Sequence, residues 1–441
     1  MPTTANYSNI FSCHVNLKRY SFVYNDLEPG RKIVKLTTKL LAATAIVGAT
    51  SAGAVDLEVT HWWTSGGEAA AVAELAKAFD ASGDKWIDGA IAGSGGTARP
   101  IMISRITGGD PMGATQFNHG QQALELVEAG LMLDLTDVAE ANNWKDVIFP
   151  SSLLDSCTID GRIYCAPVNI HSPEWLWLSN KVYEDIGIPV PTNWNEFVAS
   201  APAVEAAGKI PLALGNQPWQ SNLAFGAMQI AVAGLDNWKM VNIEKDMDVA
   251  AGDAYAAVFQ AAADARELAR KSTVQDWNQA TNLVITDQAA GQIMGDWAQG
   301  EFQVAGEVAG KDYTCLPGLG LNAYLSTGGD AFYFPKIDDP EQEAAQKRLA
   351  ALLVSPEVQV SFNLKKGSLP IRGDVDLSAA NDCMNKGLEL LAKGNLLPSG
   401  DQVWSPDVQT QAGDLMVEFW KTDMDPAEAH ASWVKILQSD L

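Results

Sequence analysis

Residues 61–72 read His61-Trp62-Trp63-Thr64-Ser65-Gly66-Gly67-Glu68-Ala69-Ala70-Ala71-Val72, and the fold is decided by what flanks them. Upstream, Val55, Leu57 and Val59 alternate with Asp56, Glu58 and Thr60, the two-residue period of a strand. Downstream, Val72, Leu75, Ala76 and Phe79 share one face of a helix over residues 68–79. A loop at 62–67 thus carries two tryptophans between a strand end and a helix start. Similar units follow: a helix at 99–106, a strand at 114–118 that ends in polar residues, and a helix at 121–129. Further helical patterns run at 244–272, 340–354 and 405–422. Strands alternating with helices predict an α/β architecture with a mostly parallel sheet. Ligands of such sheets sit beyond the carboxyl ends of the strands. That rule marks Trp62, Trp63 and Ser65, and likewise Gln116, Asn118 and His119, as candidates.

The chain has 441 residues, enough for two or three domains with cores of their own. Lys and Arg total 30 against 54 Asp and Glu, a formal charge of −24. Non-specific nucleic-acid binding needs cations to neutralise phosphates, so it is excluded as the main task. Docking on anionic membrane surfaces is disfavoured for the same reason. Hydrophobic content of 47% with 19% charged residues describes a globular protein. There are 14 Trp against 13 Phe. A plain hydrophobic core does not call for more tryptophan than phenylalanine.

The segment 31–54 reads as a secretory signal. Arg31, Lys32, Lys35 and Lys39 form its basic part, 40–50 is apolar, and Ala52 and Ala54 give the small-x-small pattern that predicts cleavage after Ala54. Residues 1–30 fit no part of a signal, which points to a start placed too early, with Val34 or a neighbour as the initiator. Export to the periplasm is expected. Cys13 leaves with the leader, so Cys157, Cys165, Cys315 and Cys383 remain in a compartment that permits disulfides. Asp160-Gly161 is a turn signal between short β-rich arms, and such a hairpin would pair Cys157 with Cys165. Cys315–Cys383 follows by elimination, although four cysteines allow three pairings. No cysteine or histidine spacing matches a metal site, and no cofactor is expected.

Aromatic residues beside polar ones recur at 62–68, Gln217-Pro218-Trp219-Gln220, Asp276-Trp277-Asn278 and Gly295-Asp296-Trp297. A pyranose has an apolar C–H face and a rim of hydroxyls. Indole faces cover the first, and carboxylates and amides bond the second. Any one such tryptophan could be ordinary core. Two adjacent ones cannot both point to one side of an extended strand, and the pattern repeats.

With the signal segment, HWWTSGGEAAAV (61–72) resembles the start of extracellular solute-binding proteins of sugar ABC transporters, and within them the glucose/mannose-binding branch. TNWNEF (192–197), GNQPWQ (215–220), IMGDWAQGEF (293–302) and SFNLKKGSLPIRGDVD (361–376) agree, in family order. The resemblance implies a two-lobed α/β fold of the type II periplasmic kind. After a leader at 1–54, residues 55–168 and 326–366 would form the N-terminal lobe. Residues 169–325 and 367–441 would form the C-terminal lobe. Ligand would bind in the cleft, with closure about a hinge. By that likeness Trp62, Trp63 and Glu68 come from the first lobe and Trp277 and Trp297 from the second. Asp330 and Lys366 match positions that grip hydroxyls, and Trp219 lies in a matching motif.

Two departures bear on specificity. His119 in QFNHG stands where that branch often has lysine, and PSGDQVWSP (398–406) lacks the branch's His-Gly, leaving Asp401, Gln402 or Trp404 to stand in. A hydroxyl-matching site discriminates strongly, so such changes switch specificity. The bland alternatives are a surface or satisfied His119, a Glu68 that serves only the helix dipole, and a structural Asp330–Lys366 ion pair. The expected function is capture of a sugar, glucose first among monosaccharides, and delivery to a membrane permease. The alternatives are a glucoside or polyol receptor, or a secreted glycoside hydrolase. The hydrolase lacks a recognisable carboxylate pair, and no G-x-S-x-G elbow is present. The chain is expected to act as a monomer without nucleic-acid partners.

Overall fold

The strand expected at 55–61 forms as Asp56–His61 and lies inside a five-stranded sheet. The computed structural model describes residues 53–399 and 403–441; the leader up to Ala52, and Asp401 and Gln402 among the candidates, lie outside the described residues. Across the first sheet the order is Lys85–Ala90, Asp56–His61, Ala114–Asn118, Asp330–Tyr333 and Cys165–Pro167. A second sheet has the order Tyr313–Pro317, Trp175–Ser179, Ala289–Met294 and Ile210–Ala213.

Each sheet has one strand running against the rest, Asp330–Tyr333 in the first and Trp175–Ser179 in the second. A mostly parallel sheet was expected; each sheet instead carries one reversed strand, and the reason is connectivity. The other strands end at the face where the sheets meet. The chain leaves the first sheet after Pro167 and enters the second at Trp175, starting from that face. It returns after Pro317 and enters the first sheet at Asp330 in the same way. A strand that begins where its neighbours end must run opposite to them.

The crossings lie side by side. His171 N–H donates to Gly328 O at 2.9 Å, and Ile170 N–H to Leu369 O at 2.8 Å with Leu369 N–H returning to Ile170 O at 3.2 Å. Segments near 170, 328 and 369 thus form a short ribbon between the sheets.

The first helix runs Gly66–Ala81, two residues earlier than its apolar face indicates, because Ser65 caps it by accepting from Glu68 N–H. Its start is built for close approach. A Cβ on Gly67 would sit 2.4 Å from the Gly300 carbonyl carbon, so the helix Ala298–Val304 packs backbone to backbone against it. Glu301 Oε1 accepts from Gly67 N–H at 2.6 Å. The pattern at 244–272 divides into Met247–Ala250 and Asp253–Leu268, since Gly252 takes an extended conformation and starts the second helix. The helices Pro340–Leu353 and Pro406–Lys421 match their patterns.

Both disulfides are present. Cys157–Cys165 closes the hairpin of Thr158–Ile159 and Arg162–Ile163, whose turn residues Asp160 and Gly161 both have positive φ (50° and 75°). Cys315–Cys383 ties the second sheet to the helix Asp382–Lys393. Among the described residues no helix is long and apolar enough to cross a membrane.

Candidate functional site

Strand ends from both sheets open onto one cavity of about 290 Å³. From the first sheet, Asp56–His61 delivers Trp62 and Trp63, and Ala114–Asn118 delivers Asn118. From the second, Met294 ends a strand and the chain turns through Gly295 and Asp296 to Trp297. Trp219 sits in the first turn of Pro218–Met228, and Trp277 starts Trp277–Ile285. The helix Trp277–Ile285 runs back along the sheet into Ala289–Met294, so its N-terminus lies at the cavity. The sequence indicated loops for all five tryptophans; Trp62 and Trp63 lie in one, whereas Trp219, Trp277 and Trp297 sit at helix starts, where the backbone is fixed.

The indoles play different parts. Trp63 is 1% exposed and packs on Phe362 (5.2 Å between centroids) and Phe332 (5.7 Å), so much of it is core. Its indole N–H nonetheless has no partner among the described residues. Trp62 is half-buried, with the Arg99 guanidinium 5.7 Å from its ring centre, within cation–π range. Trp297 is half-buried and has Trp277 edge-on at 6.5 Å, Trp219 at 6.3 Å and His171 at 5.0 Å. A Cβ on Gly295 would fall 2.1 Å from the Trp297 ring. Glycine there lets the indole lie on the backbone.

The polar wall is ordered by charge. Lys366 Nζ lies 2.8 Å from Glu68 Oε1, with side-chain exposures of 1% and 9%, and 5.6 Å from the Trp63 ring centre. Glu68 therefore does more than serve its helix, and Lys366 does not pair with Asp330. Asp330 accepts from Gln116 Nε2 at 2.7 Å and Asn169 Nδ2 at 3.0 Å, with His171 Nε2 at 2.9 Å. Burial pushes its carboxyl up, but His171, Lys366 and Asn169 together hold it down at about 2. Asp330 is thus an ionised, fully oriented acceptor.

Of the sequence-derived candidates, Trp62, Trp63, Glu68, Trp219, Trp277, Trp297, Asp330 and Lys366 line this one cavity. Ser65, Gln116 and His119 stand behind its wall. Ser65 caps the first helix; Gln116 accepts from Trp62 N–H at 3.0 Å and so links that loop to Asp330. His119 is buried, bonds Ser156 Oγ at 2.7 Å, and burial lowers its imidazole to about 4, so it is neutral. Arg99, Gln122 and His171 also line the cavity and were missed. The Gly-rich start of Ser94–Thr107 after a strand was a usable signal for Arg99. Nothing in the sequence around His171 marks it.

The site is fastened to the crossing. Asp296 Oδ2 accepts from Ser172 N–H at 3.0 Å and Ser172 Oγ at 3.1 Å, and Asp296 N–H donates to Ser172 O at 3.0 Å. Trp297 is thereby held to the ribbon between the sheets. Burial raises Asp296 to about 6, with His171 working the other way.

Glu174, on the same crossing, accepts from Ser326 N–H at 3.3 Å, and burial pushes it up to about 8. It is neutral when folded at pH 7 and ionised when unfolded, so its stabilising effect is full below about pH 4.5 and is lost as pH rises through about 8. Glu174→Gln should remove that loss. Melting curves between pH 5 and 9 should show the variant gaining on the wild type as pH rises, and parallel curves would show that Glu174 does not bury a proton.

A family model for bacterial extracellular solute-binding proteins matches residues 60–360. A probable sugar-binding periplasmic protein of Rhizobium meliloti (strain 1021) is 34% identical over 362 residues, covering 82% of this chain and 86% of that one. One of the same description from Brucella melitensis biotype 1 is 35% identical over 379 residues, covering 83% and 89%. Among solved structures, a chitin oligosaccharide binding protein superposes with a TM-score of 0.70 at 18% identity, over 88% of this chain and 99% of that one. The likeness fixes the architecture as the two-lobed type II fold with its cleft between the lobes.

Proposed function

The chain belongs to the bacterial extracellular solute-binding proteins, and from that premise we propose that its cavity holds one ring of a neutral sugar, glucose first among the monosaccharides. At the coarser level the protein is a periplasmic sugar-binding component of an ABC transporter and not an enzyme. The observation that carries the finer reading is the meeting of Trp62 and Trp63 from one sheet with Trp219, Trp277 and Trp297 from the other around one small cavity. Its lining carries two carboxylates, Glu68 and Asp330, and two permanent cations, Lys366 and Arg99, so the formal charges cancel, while Asp330 also accepts from Gln116 and Asn169. Such a wall suits hydroxyls and leaves no net charge for a charged ligand to neutralise. A glucoside or a polyol is the second reading, because His119 is walled off and does not replace the branch's lysine in the cavity.

The lobes move as 55–168 with 326–366 against 169–325 with 367–441, after removal of the leader at Ala54. Sugar enters the open cleft, and only the closed form makes both sets of contacts, so binding shifts the population toward closure. The permease then recognises the closed form, and nucleotide hydrolysis takes place on its partner subunits.

Thermal-shift screening of monosaccharides, glycosides and polyols tests this reading, since a ligand at 100 times its Kd adds about 2.7 kcal/mol to stability. A neutral hexose should give the largest shift; charged compounds as the only hits would overturn the reading. Affinity should change by less than about twofold between low and high salt, because screening acts on charged ligands. A steep salt slope measured by calorimetry would identify a charged ligand.

A further inference from the structure

Beyond the strand Ile210–Ala213 lies another cavity, of about 300 Å³. It shares no lining residue with the tryptophan-walled cavity. Gln217 stands between the two: it lines this one and accepts from the Trp219 indole N–H at 2.7 Å. The charge here is the reverse of the chain's. Arg266, Arg270 and Lys421 line the cavity against one carboxylate, Asp423, in a protein of formal charge −24. Glu267, outside the lining, pairs with Arg270 at 2.5 Å, and counting it still leaves one positive charge over.

Arg266 is 9% exposed and only partly used. Its Nη1 donates to Phe419 O at 3.0 Å, Thr422 O at 3.1 Å and Met424 O at 3.0 Å, which closes the end of the helix Pro406–Lys421. The Phe419 ring lies 4.4 Å from the guanidinium carbon. The other edge, Nε and Nη2, makes no hydrogen bond among the described residues. Glu267 Oε1 is 3.8 Å from Nε, beyond hydrogen-bond reach, and already accepts from Arg270 Nη2 at 2.7 Å. Trp420 lines the same cavity, and its indole N–H is also buried without a partner among the described residues.

Buried donors are nearly always bonded, so two residues with idle donors in one cationic cavity call for an acceptor from outside the chain. Water or a sugar hydroxyl would satisfy the N–H groups but not the surplus charge. An oxyanion does both, with two oxygens on the Nε–Nη2 edge in the forked geometry that guanidinium groups favour, and one on the Trp420 N–H. The helix Pro218–Met228 starts in the same wall with no side-chain cap from Gln217, and its dipole acts in the same sense.

We propose that this cavity is a binding site for a small oxyanion, a phosphate or carboxylate group, separate from the sugar cavity. Its volume is at the lower end of small-molecule sites, so it admits a phosphate ester or a small organic acid as well as a bare ion.

Calorimetric titration at constant ionic strength, set with sodium chloride, tests this. The probes are inorganic phosphate, glycerol 3-phosphate and succinate, and the tightest of them identifies the source of the group. At least one should bind at one per chain with a Kd of about 1 mM or below. Trp420→Phe, which removes only the indole N–H donor and some ring area, and Lys421→Gln should each weaken that binding at least threefold, with melting temperatures close to the wild type. Arg266→Gln should weaken it at least tenfold; should the loss of its bonds to the helix end unfold the protein, the other two variants still decide. No saturable binding of any probe, or binding that all the folded variants retain at wild-type affinity, would overturn the site and show that water fills the cavity.

Discussion

Lys366→Met should lower the free energy of unfolding by about 3–5 kcal/mol, since it leaves the Glu68 carboxylate buried without its cation. The pair joins the last turn of Pro356–Lys366 to the first turn of Gly66–Ala81. Both positions suit the helix dipoles, a cation at a C-terminus and an anion at an N-terminus. Glu68 has no other cation within ion-pair distance among the described residues, so nothing else takes up the charge. Glu68→Gln added to Lys366→Met should recover much of the loss, because replacing both members of a buried pair by neutral groups is often nearly neutral. Urea denaturation of the two single variants and the double variant measures this directly. A loss below about 1 kcal/mol for Lys366→Met would mean that the pair is solvated and behaves as a surface ion pair.

Trp297→Ala should weaken sugar binding by at least tenfold, or about 1.4 kcal/mol, with a much smaller change in melting temperature. The ring is half-buried and its neighbours are other cavity walls: Trp277, Trp219 and His171. Gly295→Ala should give a similar loss without removing the indole, because the added Cβ would displace the ring. If both variants keep wild-type affinity in calorimetry, Trp297 is not a sugar platform. Trp63 is a poor substitute for this test. At 1% exposure, packed on Phe332 and Phe362, its truncation should cost about 3–5 kcal/mol of stability and confuse folding with binding.

The α/β class and the strand–loop–helix unit at residues 55–81 were legible because the two-residue and helical periods are local properties of the chain. The cavity was partly legible for a related reason: tryptophans beside polar residues at strand ends are costly to place anywhere else. Strand direction was not. The reversed strands Asp330–Tyr333 and Trp175–Ser179 follow from which sheet the chain arrives from, and no local pattern records that. Partnership was hidden too. Lys366 and Asp330 were each picked out, but Lys366 is separated from Glu68 by 298 residues, and only the packing of two helices brings them together. His171 lies on a crossing with no periodicity to mark it, although it touches Asp330 and Trp297. Ser65, Gln116 and His119 were selected by their position after strands, a rule that locates the end of a sheet but cannot tell its mouth from its backing.

The most direct measurement is a crystal structure of the protein with the sugar that gives the largest thermal shift. The ring should lie in the cavity with its C–H face on Trp297 and hydroxyls within hydrogen-bond distance of Asp330 and of the Glu68–Lys366 pair. A sugar bound elsewhere on the molecule, with this cavity filled only by water, would contradict the account.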